Sequence, residues 1–266
     1  MANLPEVLVI GGTGAQGAPV VQGSSLMYSL ALADSGRYRV RILTRDTDST
    51  RVKSLAALQN VTLFQGAVTS QEDLHAAFRG VYGAWVNIDG FTLGEGTKSS
   101  TESVPIRLPA RRKLAPTFGP TVTMHAGRLG RMRNSTGVIM MPRAELAGQQ
   151  GMKSTLFTTG PYMNMLLDGM FVPKTESDGT VVWENPAKDG KLPLIALEDV
   201  GNYNLWIFDN IDQSAGLDLE VATDQVTFNI IAEIFTRVTG KPAIHRAIPM
   251  DKYIAAAEPY PGAPVN

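Results

Sequence analysis

The chain has no cysteine, which removes disulfides, thiolate metal sites and a cysteine nucleophile together. It has no surplus of charge either. Twenty-four Lys and Arg stand against 25 Asp and Glu, so no global field gathers nucleic acid or an anionic membrane surface. Its three histidines, His75, His125 and His245, lack ligand spacing and imply no metal site. No apolar run approaches the roughly 20 residues of a membrane span, and Met1-Ala2-Asn3 leads straight into a strand-like run without a charged leader. A hydrolase elbow of the Gly-x-Ser-x-Gly kind is missing, and no tyrosine has a lysine four residues on to lower its pKa for proton transfer. What remains is the expectation of a cytoplasmic protein whose partner is a small molecule, with no nucleic acid and no membrane involved.

Four short runs rich in Val, Ile and aromatic residues are present: Glu6 to Ile10, Arg39 to Thr44, Val61 to Gln65 and Tyr82 to Asn87. Between them, Gln16 to Ala33, Thr50 to Leu58 and Gln71 to Phe78 carry helical spacing, so the order predicts βαβαβαβ and a parallel sheet. A strand at Ser154 to Thr158, a helix near Tyr162 to Met170, a strand at Leu217 to Val221 and a helix from Asp224 to Val238, capped by Asp224 and stopped by Gly240, complete the expectation. Trp85, Trp183 and Trp206 read as core or interface anchors, since no basic stripe accompanies them.

The motif that carries chemistry is Gly11-Gly12-Thr13-Gly14-Ala15-Gln16-Gly17, set directly after the first strand and opening the first helix. Glycines there permit a tight turn and close backbone approach to a pyrophosphate, while free N–H groups at the helix start face the phosphates. At the end of the second strand Leu43-Thr44-Arg45-Asp46 offers a guanidinium where NAD sites place a carboxylate. Paired charge-assisted hydrogen bonds from Arg45 to a 2′-phosphate would select NADP, with Asp46 keeping NAD open. The whole predicts an α/β protein with an NAD(P)-binding Rossmann fold: a doubly wound, mostly parallel sheet in residues 1–160 and a small C-terminal α+β substrate lobe in 161–266.

The stretches Val9 to Gly17, Val40 to Asp46, Phe64-Gln65-Gly66, Gly80 to Asn87, Thr158 to Met163 and Pro193 to Gly201 resemble the NmrA-like family, atypical short-chain dehydrogenase/reductase relatives that include fungal regulators and oxidoreductases of secondary metabolism. The resemblance covers about 1–97 and 146–254. It implies that Gly11 to Gly17 hold the pyrophosphate, Arg45 the 2′-phosphate, Asn87 and Ile88 the nicotinamide ribose, and Tyr162 and Asn164 the nicotinamide end. Tyr162 is the one candidate proton donor it leaves. Departures are Ala67, where relatives carry an acidic residue, extra residues around Ser24 to Ser29 in the first helix, and an early end soon after Asp251. Two functions fit: an NADP(H)-dependent reductase of a small organic molecule, or an NADP-sensing regulator that contacts a protein and turns nothing over.

Between 98 and 145 the pattern fails. Arg111-Arg112-Lys113 and four prolines, Pro105, Pro109, Pro116 and Pro120, break any buried strand or helix, and the stretch is too long for an ordinary loop. The family's fifth strand and its His-Tyr-Asp-x-Lys-like segment are not readable there. Val138 to Ala144 must be encoded by GTN ATH ATG ATG CCN followed by Arg and Ala codons. Read from the third base, those codons permit His-Tyr, force Asp-Ala and permit Lys-Ser. Pro116 to Ala126 in the same frame permit a fifth-strand-like Tyr-Val-Trp-Ser-Asn. The expectation is that about 98–145 is frame-shifted, that it forms a poorly ordered excursion, and that the sheet has a gap or a poor substitute between its fourth strand and Ser154 to Thr158.

Overall fold

A computed structural model describes residues 4–23, 31–87, 121–125, 153–168 and 171–257, with the backbone alone at 121–125 and 256–257. Seven strands form one sheet: β1 (Glu6–Ile10), β2 (Arg39–Thr44), β3 (Val61–Gln65), β4 (Gly83–Val86), β5 (Thr121–His125), β6 (Lys153–Thr159) and β10 (Asp218–Val221), in the order β10-β6-β5-β4-β1-β2-β3. β1 lies parallel between β2 and β4, with Val9 opposite both Ile42 and Trp85. All five β1 residues and all four β4 residues are buried, as near-continuous apolar runs should be in a sheet covered on both faces. β3 is an edge, and it exposes Thr62 and Gln65. The order reverses between β1 and β4, the topological switch point at which doubly wound sheets open a crevice.

The helices between these strands owe their starts to local chemistry. Ser49 caps α2 (Thr50–Ala56) by accepting from Val52 N, and Ser70 caps α3 (Gln71–Ala77) by accepting from Asp73 N. Leu74, Ala77, Phe78 and Val81 then pack on Leu8, Ile10, Ala84 and Val86. On the opposite face α1 (Gly17–Val21) stops after five residues, short of the helix expected through Ala33. Its ladder resumes across a splice: Leu32 N donates to Val20 O at 3.0 Å and Ala33 N to Val21 O at 3.1 Å, twelve residues back where a helix uses four. The ladder thus skips eight residues and resumes in a turn at Leu32 to Ser35. Gly23 N closes the base of the insert on Asp34 Oδ2 at 2.6 Å.

The sheet has no gap next to β4. Thr121–His125 pairs in parallel register with both neighbours, Ala84 opposite Val122 and Val122 opposite Ser154, so of the two expected outcomes, a gap or a poor substitute, the gap is corrected. Alternating β-branched Thr-Val-Thr supplies enough strand preference to fill the place. The rest of 98–145 lies outside the described residues.

Contacts divide the chain into two units: Met1–Gly127, Thr136–Thr158 and Leu197–Leu219 in the first, and Arg128–Ser135, Thr159–Ala196 and Glu220–Asn266 in the second. Residues 197–219, read from sequence as part of the C-terminal lobe, sit with the nucleotide-type sheet. There the helix α4 (Leu197–Asp209) packs along α1 and is pinned by Asp209, which accepts from Tyr38 Oη at 3.0 Å and pairs with Arg37 at 2.7 Å. A short α5 (Ile211–Ser214) follows it.

In the second unit β7 (Lys174–Thr175), β8 (Val181–Asn185) and β12 (Ala243–Ala247) form a sheet, and β9 (Leu192–Leu194) pairs antiparallel with β11 (Asp224–Val226). The helix expected from Asp224 starts later, as α6 (Phe228–Thr239), because Asp224 to Val226 are spent on the β9 pairing. Its cap is Thr227, whose hydroxyl accepts from Ile230 N, and Gly240 at φ +72° ends it as expected. Trp183, Phe228 and Ile231 build the core of this unit, and α7 (Met250–Ala257) closes the described chain. The helix expected near Tyr162 to Met170 is a single 3-10 turn, Met163–Leu166. Among the described residues no helix is long and apolar enough to cross a membrane.

Candidate functional site

The site starts from the end of β1. Gly11 takes φ +84°, a conformation that an L side chain resists, and a Cβ there would stand 2.1 Å from the carbonyl oxygen of Asn87. Gly14 N then turns back to Gly11 O at 2.9 Å. Gly17 sits under that turn, where a Cβ would meet Gly11 O at 2.0 Å, and Gly12 is buried against Val9, Ile42 and Val21. Gly14 is different. It is exposed, together with Ala15, and a Cβ on it would find only Gly11 O, at 3.2 Å. Three glycines therefore serve the packing of turn, strand and helix, while the fourth keeps the outer face of the turn bare. A bare face beside open N–H groups is what a phosphate needs to come within hydrogen-bond distance of backbone.

Thr13 is half-buried in the turn and Gln16 is buried, at 8 % exposure. Gln16 Oε1 accepts from Asn87 Nδ2 at 2.7 Å, and Asn87 N donates to Ile10 O at 3.0 Å. This bond spans the switch point from the first helix to the end of β4, and sequence reasoning, which named both residues, had no signal for their pairing.

Arg45 follows the last residue of β2. It is exposed and has no partner among the described residues. The carboxylates beside it are engaged elsewhere: Asp46 Oδ1 accepts from Asp48 N at 2.7 Å, and Asp48 pairs with Lys53 at 3.3 Å. Thr44 Oγ1 donates to Asp46 O and tightens the same loop. At the end of β3, Ala67 N donates to Asp73 Oδ2 at 2.9 Å.

Thus Gly11 to Gly17, Arg45 and Asn87 gather at the carboxyl ends of β1, β2 and β4 in the first unit. Ile88 lies outside the described residues. Tyr162 and Asn164 belong to the second unit, where the chain is laced to β9 and its exit. Ile195 N donates to Pro161 O and Met163 N to Ile195 O, each at 2.9 Å, so Tyr162 bridges Ile195. Gly160 makes that crossing sterically feasible, since a Cβ would lie 1.7 Å from Pro193 O. Among the described residues no group of three His, Asp or Glu could hold a metal ion.

The model of the NmrA-like family matches residues 5–100 and 145–261 and leaves the stretch between unmatched. The chain belongs to the NmrA-like family. An NmrA-like family domain-containing oxidoreductase of Aspergillus versicolor is 36% identical over 85 residues, 32% of this chain and 21% of that protein. One from Aspergillus flavus is 35% identical over 83 residues, 31% of this chain and 22% of its own. The match thus spans about a fifth of the length of these curated relatives. Among solved structures, the negative transcriptional regulator NmrA in complex with NADP superposes with a TM-score of 0.64 at 20% identity, over 92% of this chain and 74% of that one. An NADPH-dependent quinone oxidoreductase of Escherichia coli complexed with NADPH gives 0.62 at 19% identity, over 97% and 83%. Both likenesses establish the NAD(P)-binding Rossmann-like fold for this NmrA-like chain.

Proposed function

We propose that this NmrA-like chain binds NADP(H) and is the body of an oxidoreductase that reduces a small organic molecule, in secondary metabolism as the family resemblance implies. One observation carries the reading: the exposed, bare turn at Gly14 follows β1, and Arg45, exposed and without a partner among the described residues, follows the neighbouring strand β2, its adjacent carboxylates being bonded within their own loop. The turn fits a pyrophosphate, and Arg45 fits a 2′-phosphate, with the Asp46 carboxylate tied back to Asp48 N. Asn87 and Gln16 would lie along the nicotinamide half of the dinucleotide. The bound nucleotide would supply the hydride, and the chain's part is to bind, orient and exclude water.

A proton donor is the remaining requirement, and the stretch that would carry it is the one the family model leaves unmatched, 101–144. That coincidence supports the frame-shift reading, in which the lysine of the family motif is encoded but not translated in this frame. Sequencing the transcript across codons 95–150 tests it, and a transcript that holds no motif in any frame refutes it.

The test of function follows NADPH oxidation optically with quinones and conjugated ketones, on this chain and on one with 98–145 in the alternative frame. Turnover by the second and little by the first is expected. The other reading, an NADP sensor without catalysis, draws on the likeness to the regulator and is the result if both bind NADPH and neither turns over any of the acceptors.

A further inference from the structure

We propose that α6 carries a self-association surface whose occupant is a second copy of this chain, set antiparallel across an apolar stripe. The inference is independent of the nucleotide site, since the helix belongs wholly to the second unit. α6 holds more apolar residues than its own core uses. Phe228, Ile231, Ala232 and Phe235 pack inward with Trp183, at the spacing that one buried helix face requires. Ile230, Ile234 and Val238 follow one another every four residues, so they form a second ridge along the same helix. They are 40 %, 41 % and 76 % exposed. A single exposed apolar side chain needs no partner, but three on one ridge make a continuous strip about two turns long.

The charges beside the ridge select the partner. Glu233 and Arg237 lie one turn apart on its solvent side, both exposed and neither bonded to any described residue. With a twofold axis at Ile234 and the two helices antiparallel, Ile234 meets its own copy and Ile230 meets Val238 of the second copy. Each Glu233 then comes within about 3 Å, measured along the helix, of the level of Arg237 of the other copy. Both fall on the same side of the seam, so two reciprocal ion pairs close it. A parallel pairing would put the charges of the two copies on opposite sides of the seam and leave all four unmatched. Such self-complementarity is what an isologous contact requires. The seam is short, so the dimer is weak and forms only as concentration rises.

Sedimentation velocity over a concentration series of the full chain tests this, with circular dichroism to confirm the fold of each variant. Wild type should pass from monomer to dimer as concentration climbs. Ile234→Lys, which sets two ammonium groups on the axis, should raise the midpoint concentration by about tenfold or more. Glu233→Arg and Arg237→Glu each give the rim a single sign, so each should lose self-association by a similar factor. Mixed together, those two variants should form a heterodimer, and both swaps in one chain should dimerise as wild type does. A wild type still monomeric at about 1 mM would overturn the second copy as occupant. So would Ile234→Lys dimerising at the wild-type midpoint, or mixed single swaps that stay apart. A chain ending at Ala257 that self-associates where wild type does not would also overturn it, giving the stripe to residues 258–266.

Discussion

Gly14 and Gly17 lie three residues apart in one motif, yet the structure assigns them opposite failures. A Cβ at Gly17 would be 2.0 Å from Gly11 O and 2.7 Å from Gly12 Cα, so Gly17→Ala must push the first helix off the turn. A Cβ at Gly14 meets one atom at 3.2 Å in open surroundings, and φ there is not positive, so Gly14→Val should cost the fold about 1 kcal/mol or less. Its cost falls on the ligand. A branched side chain on the bare face holds a phosphate too far from the backbone N–H groups, and losing two charge-assisted hydrogen bonds of about 1.5 kcal/mol each amounts to roughly a hundredfold in Kd. The assay pairs thermal unfolding with calorimetric titration of NADPH. Gly14→Val should unfold within a few degrees of wild type and bind at least a hundredfold more weakly, whereas Gly17→Ala should melt early. A folded Gly14→Val that binds like wild type would show that the glycines serve packing alone.

Excising Ser24 to Ala31 makes Leu32 the fourth residue after Val20, so the variant should keep the Leu32–Val20 and Ala33–Val21 bonds and its nucleotide affinity, with a Tm within a few degrees of wild type. Unfolding of that variant would show that the insert is structural. Burial, and then the nearby Asp209 carboxylate, raise the pKa of Tyr38 above its ordinary 10.0. A raised folded pKa gives stability that is complete below pH 10 and is lost as pH climbs through the folded value, so alkaline destabilisation should be smaller in Tyr38→Phe than in wild type. Equal alkaline slopes for the two proteins would refute the role of that phenol.

Much of this was legible in the residues because local signals agreed. Glu6 to Ile10 reads as a buried strand and is one, the glycine motif sits where a strand becomes a helix, and the helical spacings that begin at Thr50 and Gln71 mark where those helices start. Legibility failed where a distant partner decided the local outcome. Asp224 looked like a helix cap, but pairing with β9 drew Asp224 to Val226 into a strand and passed the cap to Thr227. The helix Leu197–Asp209 went unread because Gly201, Asn202 and Asn204 blur its periodicity, and only packing along the first helix places 197–219 with the sheet. At Gln22 the ladder stops although helical spacing runs on to Ala33, since periodicity does not reveal that eight residues are spliced in. The bond between Gln16 and Asn87 joins residues 71 apart in sequence, and no spacing rule reaches across a sheet's switch point.

The central claim is that the exposed turn and Arg45 together form an NADP-selective nucleotide site, and competing titrations of NADPH and NADH against wild type and Arg45→Ala test it most directly. An exposed guanidinium bonded to a phosphate is worth about 1.5 kcal/mol at the low end, so NADPH should bind at least tenfold more tightly than NADH. Arg45→Ala should erase that preference without weakening NADH, and the preference of wild type should shrink as salt is raised. Equal affinities in wild type, or a preference that survives in Arg45→Ala, would contradict the account.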